Sequence, residues 1–161
     1  MKQKLILLGF GTVGRGLCEI LRDKKEYLKN KYNYDYDILA VCDLVFGNAY
    51  NPNGLDINEL LNKAEEKKKF TVDTTNRDNL SLIKDSDANV ICEMTYTDLK
   101  TGGPAMDHVR TALKSGKSVV TSNKGPAALA YPEMTKLAEN NGSKFLIEGT
   151  VMSGTPVLNL A

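Results

Sequence analysis

Short apolar runs alternate along this chain with longer stretches in which apolar residues recur every three or four positions. Residues 5–8, 38–43, 89–95, 118–121 and 144–148 are brief and rich in Val, Ile and Leu, the signature of strands buried on both faces. Between them, Val13, Leu17, Ile20 and Leu21 mark one face of a first helix, which fades through the polar stretch 24–33. The turn-rich segment Tyr50-Asn51-Pro52-Asn53-Gly54 leads to a second helix. Asp56 is its cap, Glu59 stands at the capping-box position, and Ile57, Leu60, Leu61 and Ala64 form its stripe. Leu80 and Ile83 predict a short helix, and Met106, Val109 and Leu113 a longer one stopped by Gly116. Pro132 opens a last helix through Met134, Leu137 and Ala138 that closes at Gly142. The repeated alternation of short strands with helices predicts an α/β fold with a mostly parallel sheet covered on both faces.

The first strand ends in Gly9-Phe10-Gly11-Thr12-Val13-Gly14, and a helix starts at once. Strand, glycine turn and helix in that order form a dinucleotide-binding pattern. Gly9 suits the tight turn, Gly11 clears the approach of a pyrophosphate, and Gly14 lets the helix lie close to the strand. The amides and dipole of the helix N-terminus favour the anion. The expected architecture is therefore Rossmann-like and doubly wound. Asp43 closes the second strand, where a carboxylate can accept hydrogen bonds from the adenosine ribose; the competing reading is an ordinary turn-starting aspartate. Residues 44–47 offer no arginine for a 2′-phosphate, which favours NAD over NADP. Thr95 and Thr97 follow the next strand, either lining the nicotinamide end of the cleft or acting as loop and capping residues.

With 161 residues the chain suffices for one domain, assigned to 1–150, and residues 151–161 read as the start of a second, truncated or separately supplied one. Lys and Arg number 21 against 20 Asp and Glu, a net charge of +1, so nothing points to nucleic acid or to an anionic membrane. No apolar run has the length of a membrane span and the opening residues lead directly into a strand, which predicts a cytoplasmic protein. Cys18, Cys42 and Cys92 sit in apolar segments and read as buried thiols. His108 is the only histidine and reads as a surface residue of its helix. Without histidine partners, metal-dependent hydrolysis and a Ser-His-Asp mechanism lack support.

Two residues at the carboxyl edge of the sheet carry candidate chemistry. Lys124, after the strand at 118–121, can protonate a carbonyl oxygen as hydride arrives, or stand as a solvated loop lysine. Glu148 can bind an ammonium group or a hard cation, or orient the glycine-containing turn that follows it.

Taken together, Gly9-Phe10-Gly11-Thr12-Val13-Gly14, Thr97-Asp98-Leu99-Lys100-Thr101-Gly102, Val119-Val120-Thr121-Ser122-Asn123-Lys124-Gly125-Pro126 and Glu148-Gly149-Thr150-Val151 resemble the amino-terminal half of homoserine dehydrogenases, the compact archaeal type above all. The resemblance implies an NAD(P)-dependent interconversion of aspartate 4-semialdehyde and homoserine, in the route to threonine and methionine. It implies cofactor contacts along residues 9–14 and at Asn123, and an acid/base role for Lys124. Glu148 and Thr150 would then lie near substrate, and Glu148 and Val151 near a monovalent cation. The family's alanine and glycine pair in that last loop are replaced here by Gly149 and Met152-Ser153. Family members continue for about as many residues again, with a sheet that supplies dimerisation, most substrate contacts and a second lysine. The chain alone is expected to bind cofactor without turnover. A dehydrogenase for another amino acid or aldehyde, and a non-catalytic NAD(H) sensor, are the alternatives.

Overall fold

The computed structural model describes residues 2–151. Six strands form one sheet in the order β3-β2-β1-β4-β5-β6, with β1 Gln3–Leu8, β2 Tyr36–Asp43, β3 Gly47–Tyr50, β4 Val90–Glu93, β5 Ser118–Thr121 and β6 Phe145–Leu146. All neighbours are parallel except β3, which returns antiparallel along β2. This edge strand has no counterpart in the sequence reading, because Gly47-Asn48-Ala49-Tyr50 is too short and mixed to show a period.

The alternation along β1 divides the core. Leu5 and Leu7 pack with Cys18 and Leu21 of α1 (Thr12–Asp23) and with Leu60, Leu61 and Ala64 of α3 (Ile57–Glu65). Ile6 and Leu8 pack on the other face with residues of α4 (Asn79–Asp85), α5 (Ala105–Lys114) and α6 (Lys124–Asn140). In β2 the alternation slips: Leu5 pairs with Ile38 but Ile6 with Ala40. Leu39 is thus an extra residue, and it shares a face with Ala40 as a β-bulge does. The helices do not cover the α1 face of the sheet completely. Val90, Cys92 and Val120 line an apolar groove of about 320 Å³ there, with Val120 42 % exposed.

Several boundaries differ from expectation for local reasons. The polar stretch after α1 forms its own short helix, α2 (Lys25–Tyr32), ended by Asn33 in the left-handed conformation. No residue of α2 is buried, so apolar periodicity could not reveal it. The helix expected from Pro132 starts eight residues earlier, at Lys124, and kinks at Ala130, whose φ is −147°. Pro132 denies the ladder an N–H at this point, whereas Pro126 sits in the first turn, where none is required. β6 keeps only two residues, and Glu148 opens a 3₁₀ turn, Glu148–Thr150.

Candidate cofactor cleft and the Lys124 edge

From β1 the chain passes to β2 on one side, whereas β4, β5 and β6 follow on the other, so the direction of winding reverses between β1 and β4. Ligands of open α/β sheets bind at such a reversal, beyond the strands' carboxyl ends. A cleft of about 390 Å³ opens there, lined among others by Gly9, Gly11, Asp43, Leu44, Val45, Met94, Thr95, Tyr96 and His108.

Two of the three glycines of the turn are held by close backbone contacts. Gly9 has a φ of 92°, and a Cβ on it would stand 2.6 Å from the Met94 carbonyl oxygen. A Cβ on Gly14 would strike the Gly9 carbonyl, so α1 can lie this close to the turn only without one. Around Gly11, the N-cap of α1, a Cβ would meet no atom within 4 Å. That open space at a helix N-terminus, facing the cleft, fits the diphosphate of a dinucleotide.

The other residues of the motif point elsewhere. The Phe10 ring is fully buried against Phe46 and Phe70. Thr12 is exposed on α1, and Val13 lines the groove on the α1 face of the sheet rather than the cleft. Asp43 is already engaged: its Oδ2 accepts from the Phe10 amide at 2.7 Å and its Oδ1 from those of Val45 and Phe46 at 2.8 and 3.1 Å. The carboxylate thereby clamps the glycine turn to the loop after β2. Leu44, 91 % exposed, stands at the tip of that loop.

Lys124 is the first residue of α6. Asn123 caps this helix by accepting from the Gly125 amide at 3.0 Å, and its side-chain amide donates to the carbonyls of Thr95 and Tyr96 at 3.1 and 2.7 Å. The Lys124 amide donates to the Thr97 hydroxyl at 3.4 Å. Thr95, Thr97, Asn123 and Lys124 therefore meet at the carboxyl ends of β4 and β5. Glu148 and Val151 bracket the 3₁₀ turn beyond β6; Thr150 is buried and its hydroxyl donates to the Ile147 carbonyl at 2.7 Å. A Cβ on Gly149 would stand 3.3 Å from Ser122, so this turn packs beside the Lys124 loop. Among the described residues no group of three or more His, Cys, Asp or Glu is placed to hold a metal ion. Residues 152–161, including Met152-Ser153, lie outside the described residues.

His108 corrects its expectation. It is 4 % exposed, at the wall of the cleft, because α5 lies between α4 and α6 and buries its flanks as well as its apolar stripe. Glu93, not singled out by the sequence, is fully buried. The signal for it was a carboxylate inside the apolar run Val90-Ile91-Cys92-Glu93-Met94, where charge is expensive unless it is paired. The three cysteines are buried as expected, and burial pushes each thiol up to about 12.

A parallel sheet wound in two directions, with a glycine turn at the reversal and an open helix N-terminus above it, defines a dinucleotide-binding α/β domain. The comparisons with known proteins narrow this class. Residues 9–148 match the family model described as the NAD binding domain of homoserine dehydrogenase, and the chain belongs to that family. It is 37 % identical over 160 residues to a homoserine dehydrogenase of Methanocaldococcus jannaschii, covering 98 % of this chain and 47 % of that protein. It is 40 % identical over 164 residues to the NAD(+)-dependent homoserine dehydrogenase of Pseudomonas canavaninivorans, covering 98 % and 46 %. The structure of a hyperthermophilic archaeal homoserine dehydrogenase in complex with NADPH superposes with a TM-score of 0.82 at 29 % identity, over 99 % of this chain and 48 % of that one. The chain thus spans about half the length of the curated relatives it matches. No helix among the described residues is long and apolar enough to cross a membrane.

Proposed function

We propose that this chain is the cofactor-binding portion of an oxidoreductase that interconverts aspartate 4-semialdehyde and homoserine. The observation that carries the reading is the meeting, on one edge of the sheet, of the open glycine turn and of Lys124 at the start of α6. A nicotinamide cofactor supplies the hydride when bound. Gly11 and the first amides of α1 would hold its diphosphate, and Thr95, Thr97 and Asn123 would line its reactive end. Lys124 would give a proton to the carbonyl oxygen, or steady the charge developing there, and take the proton back in the reverse direction. Glu148, with Thr150, would face substrate, and Glu148 and the Val151 backbone would contribute to a monovalent-cation site.

NAD is the favoured cofactor over NADP. In this reading Asp43 would set a carboxylate against a 2′-phosphate, and the loop at 44–47 has no cationic side chain to offset it. Residues 1–150 form the binding domain in this reading, and 151–161 lead into a substrate and dimerisation domain, with a homodimer expected for the complete protein, in the cytoplasm.

The chain titrated with NADH is expected to bind it, more tightly than NADPH, and to reduce no aspartate semialdehyde alone. A turnover of about one per second by these 161 residues would overturn that division of labour. In a protein completed by the other half, Lys124→Ala should lower kcat by about 100-fold and leave cofactor affinity nearly unchanged. An NAD(H) sensor would show no turnover with or without Lys124.

A further inference from the structure

Beneath the cleft lies a chain of polar groups that the function above does not use. The Asn48 side-chain amide donates to the Arg77 carbonyl at 3.2 Å, which fixes its orientation, and also to Asn79 Oδ1 at 3.3 Å. Asn79 must therefore present its own amide group to His108 Nε2, 3.3 Å away. That nitrogen accepts, so the imidazole proton is on Nδ1. This atom is buried without a hydrogen-bond partner among the described residues and stands 3.5 Å from Glu93 Oε1.

Glu93 gathers the carboxyl ends of β4 and β5. Its Oε1 accepts from the Thr95 amide at 3.3 Å and from the Thr95 hydroxyl. The Thr121 hydroxyl lies 2.9 Å from the Glu93 carbonyl and 3.4 Å from Oε2. That same hydroxyl accepts from the Asn123 amide at 2.9 Å, and Asn123 holds the Thr95–Tyr96 backbone and caps the helix that Lys124 begins. The buried carboxylate is thus one residue removed, on two sides, from the loop that carries Lys124.

We propose that Glu93 is a positioning residue: with His108 beside it, it sets the Thr95 and Thr121 hydroxyls and, through them, the Asn123–Lys124 loop. Its importance for catalysis rests on the reading of Lys124 above, but its effect on the loop does not. The Thr95 hydroxyl and amide both converge on Oε1, whereas the one Thr121 proton goes to the Glu93 carbonyl and leaves Oε2 the longer contact. An apolar side chain of similar length in its place would leave both Thr95 donors without that acceptor.

The test uses amide hydrogen exchange and NADH titration on the 161-residue chain. Glu93→Met, which removes the acceptor at similar length, and Thr95→Val should each lower protection at Asn123, Lys124 and Gly125 by about tenfold relative to Ile91 and Val119 in the sheet. Thr95→Ser, which keeps the hydroxyl, should restore it, and NADH affinity should fall and recover in parallel. Protection lost evenly across the sheet, or unchanged at 123–125, would sink the proposal. If Glu93→Met does not fold, the Thr95→Val and Thr95→Ser pair decides, because the Thr95 hydroxyl donates to the carboxylate itself. If the unaltered chain binds no NADH, the proposed function fails while the exchange comparison still decides the role of Glu93.

Discussion

At the scale of the residue, the turn glycines separate stability from binding. Gly11→Ala adds a methyl group to open space at a φ of −74° that alanine tolerates, so the unfolding midpoint should barely move. The same methyl stands where a diphosphate would approach, and NADH affinity should fall by about tenfold or more in a fluorescence titration. Gly14→Ala instead pushes α1 off the Gly9 carbonyl and should cost about 1–3 kcal/mol in denaturant unfolding, with affinity lost as well. Asp43 shows in its hydrogen bonds the turn-starting alternative left open by its sequence position. It clamps its own loop and the Phe10 amide, so Asp43→Asn would set an amide N–H₂ against a backbone N–H and destabilise the chain by about 1–2 kcal/mol. The site motifs were legible because glycine spacing reports backbone demands directly. His108 and Glu93 were not, since burial of a polar side chain depends on which helices flank it.

At the scale of the element, side-chain caps set where helices begin. Asp56 accepts from the Asn58 amide, Asp78 from that of Ser81 and Asn123 from that of Gly125, each at a helix N-terminus. The Asp78 carboxyl is held below its ordinary 3.8, first by the Ser81 hydroxyl and then by backbone amides. A lowered folded value means that the unfolded chain binds the proton more readily. The stabilisation is present above 3.8 and is lost as pH falls through the lowered value. Asp78→Asn keeps a capping oxygen without the titration, so its stability should fall less steeply over that acid range when unfolding is followed by circular dichroism. Helix α6 shows why element boundaries were harder to read than elements. Gly125-Pro126 has the look of a turn, yet in the first helical turn neither residue breaks a hydrogen bond.

At the scale of the whole molecule, the two apolar layers and the sheet between them enclose all three thiols, and with thiol values near 12 they should resist alkylation at neutral pH until the domain unfolds. Saturating NADH at about 100 times its dissociation constant should add about 2.7 kcal/mol and slow this labelling accordingly, which mass spectrometry of alkylated peptides can follow. The sequence by itself determined the class of fold and the glycine turn and singled out Lys124 as a candidate, because strand and helix periods and glycine spacing are local properties of the chain. Tertiary structure alone decided that β3 joins the sheet in the antiparallel sense, that α5 is buried on both flanks, and that Glu93, Thr95, Thr121 and Asn123 form one hydrogen-bonded unit. Those contacts join residues up to about thirty positions apart, and no local pattern encodes which strand ends will meet.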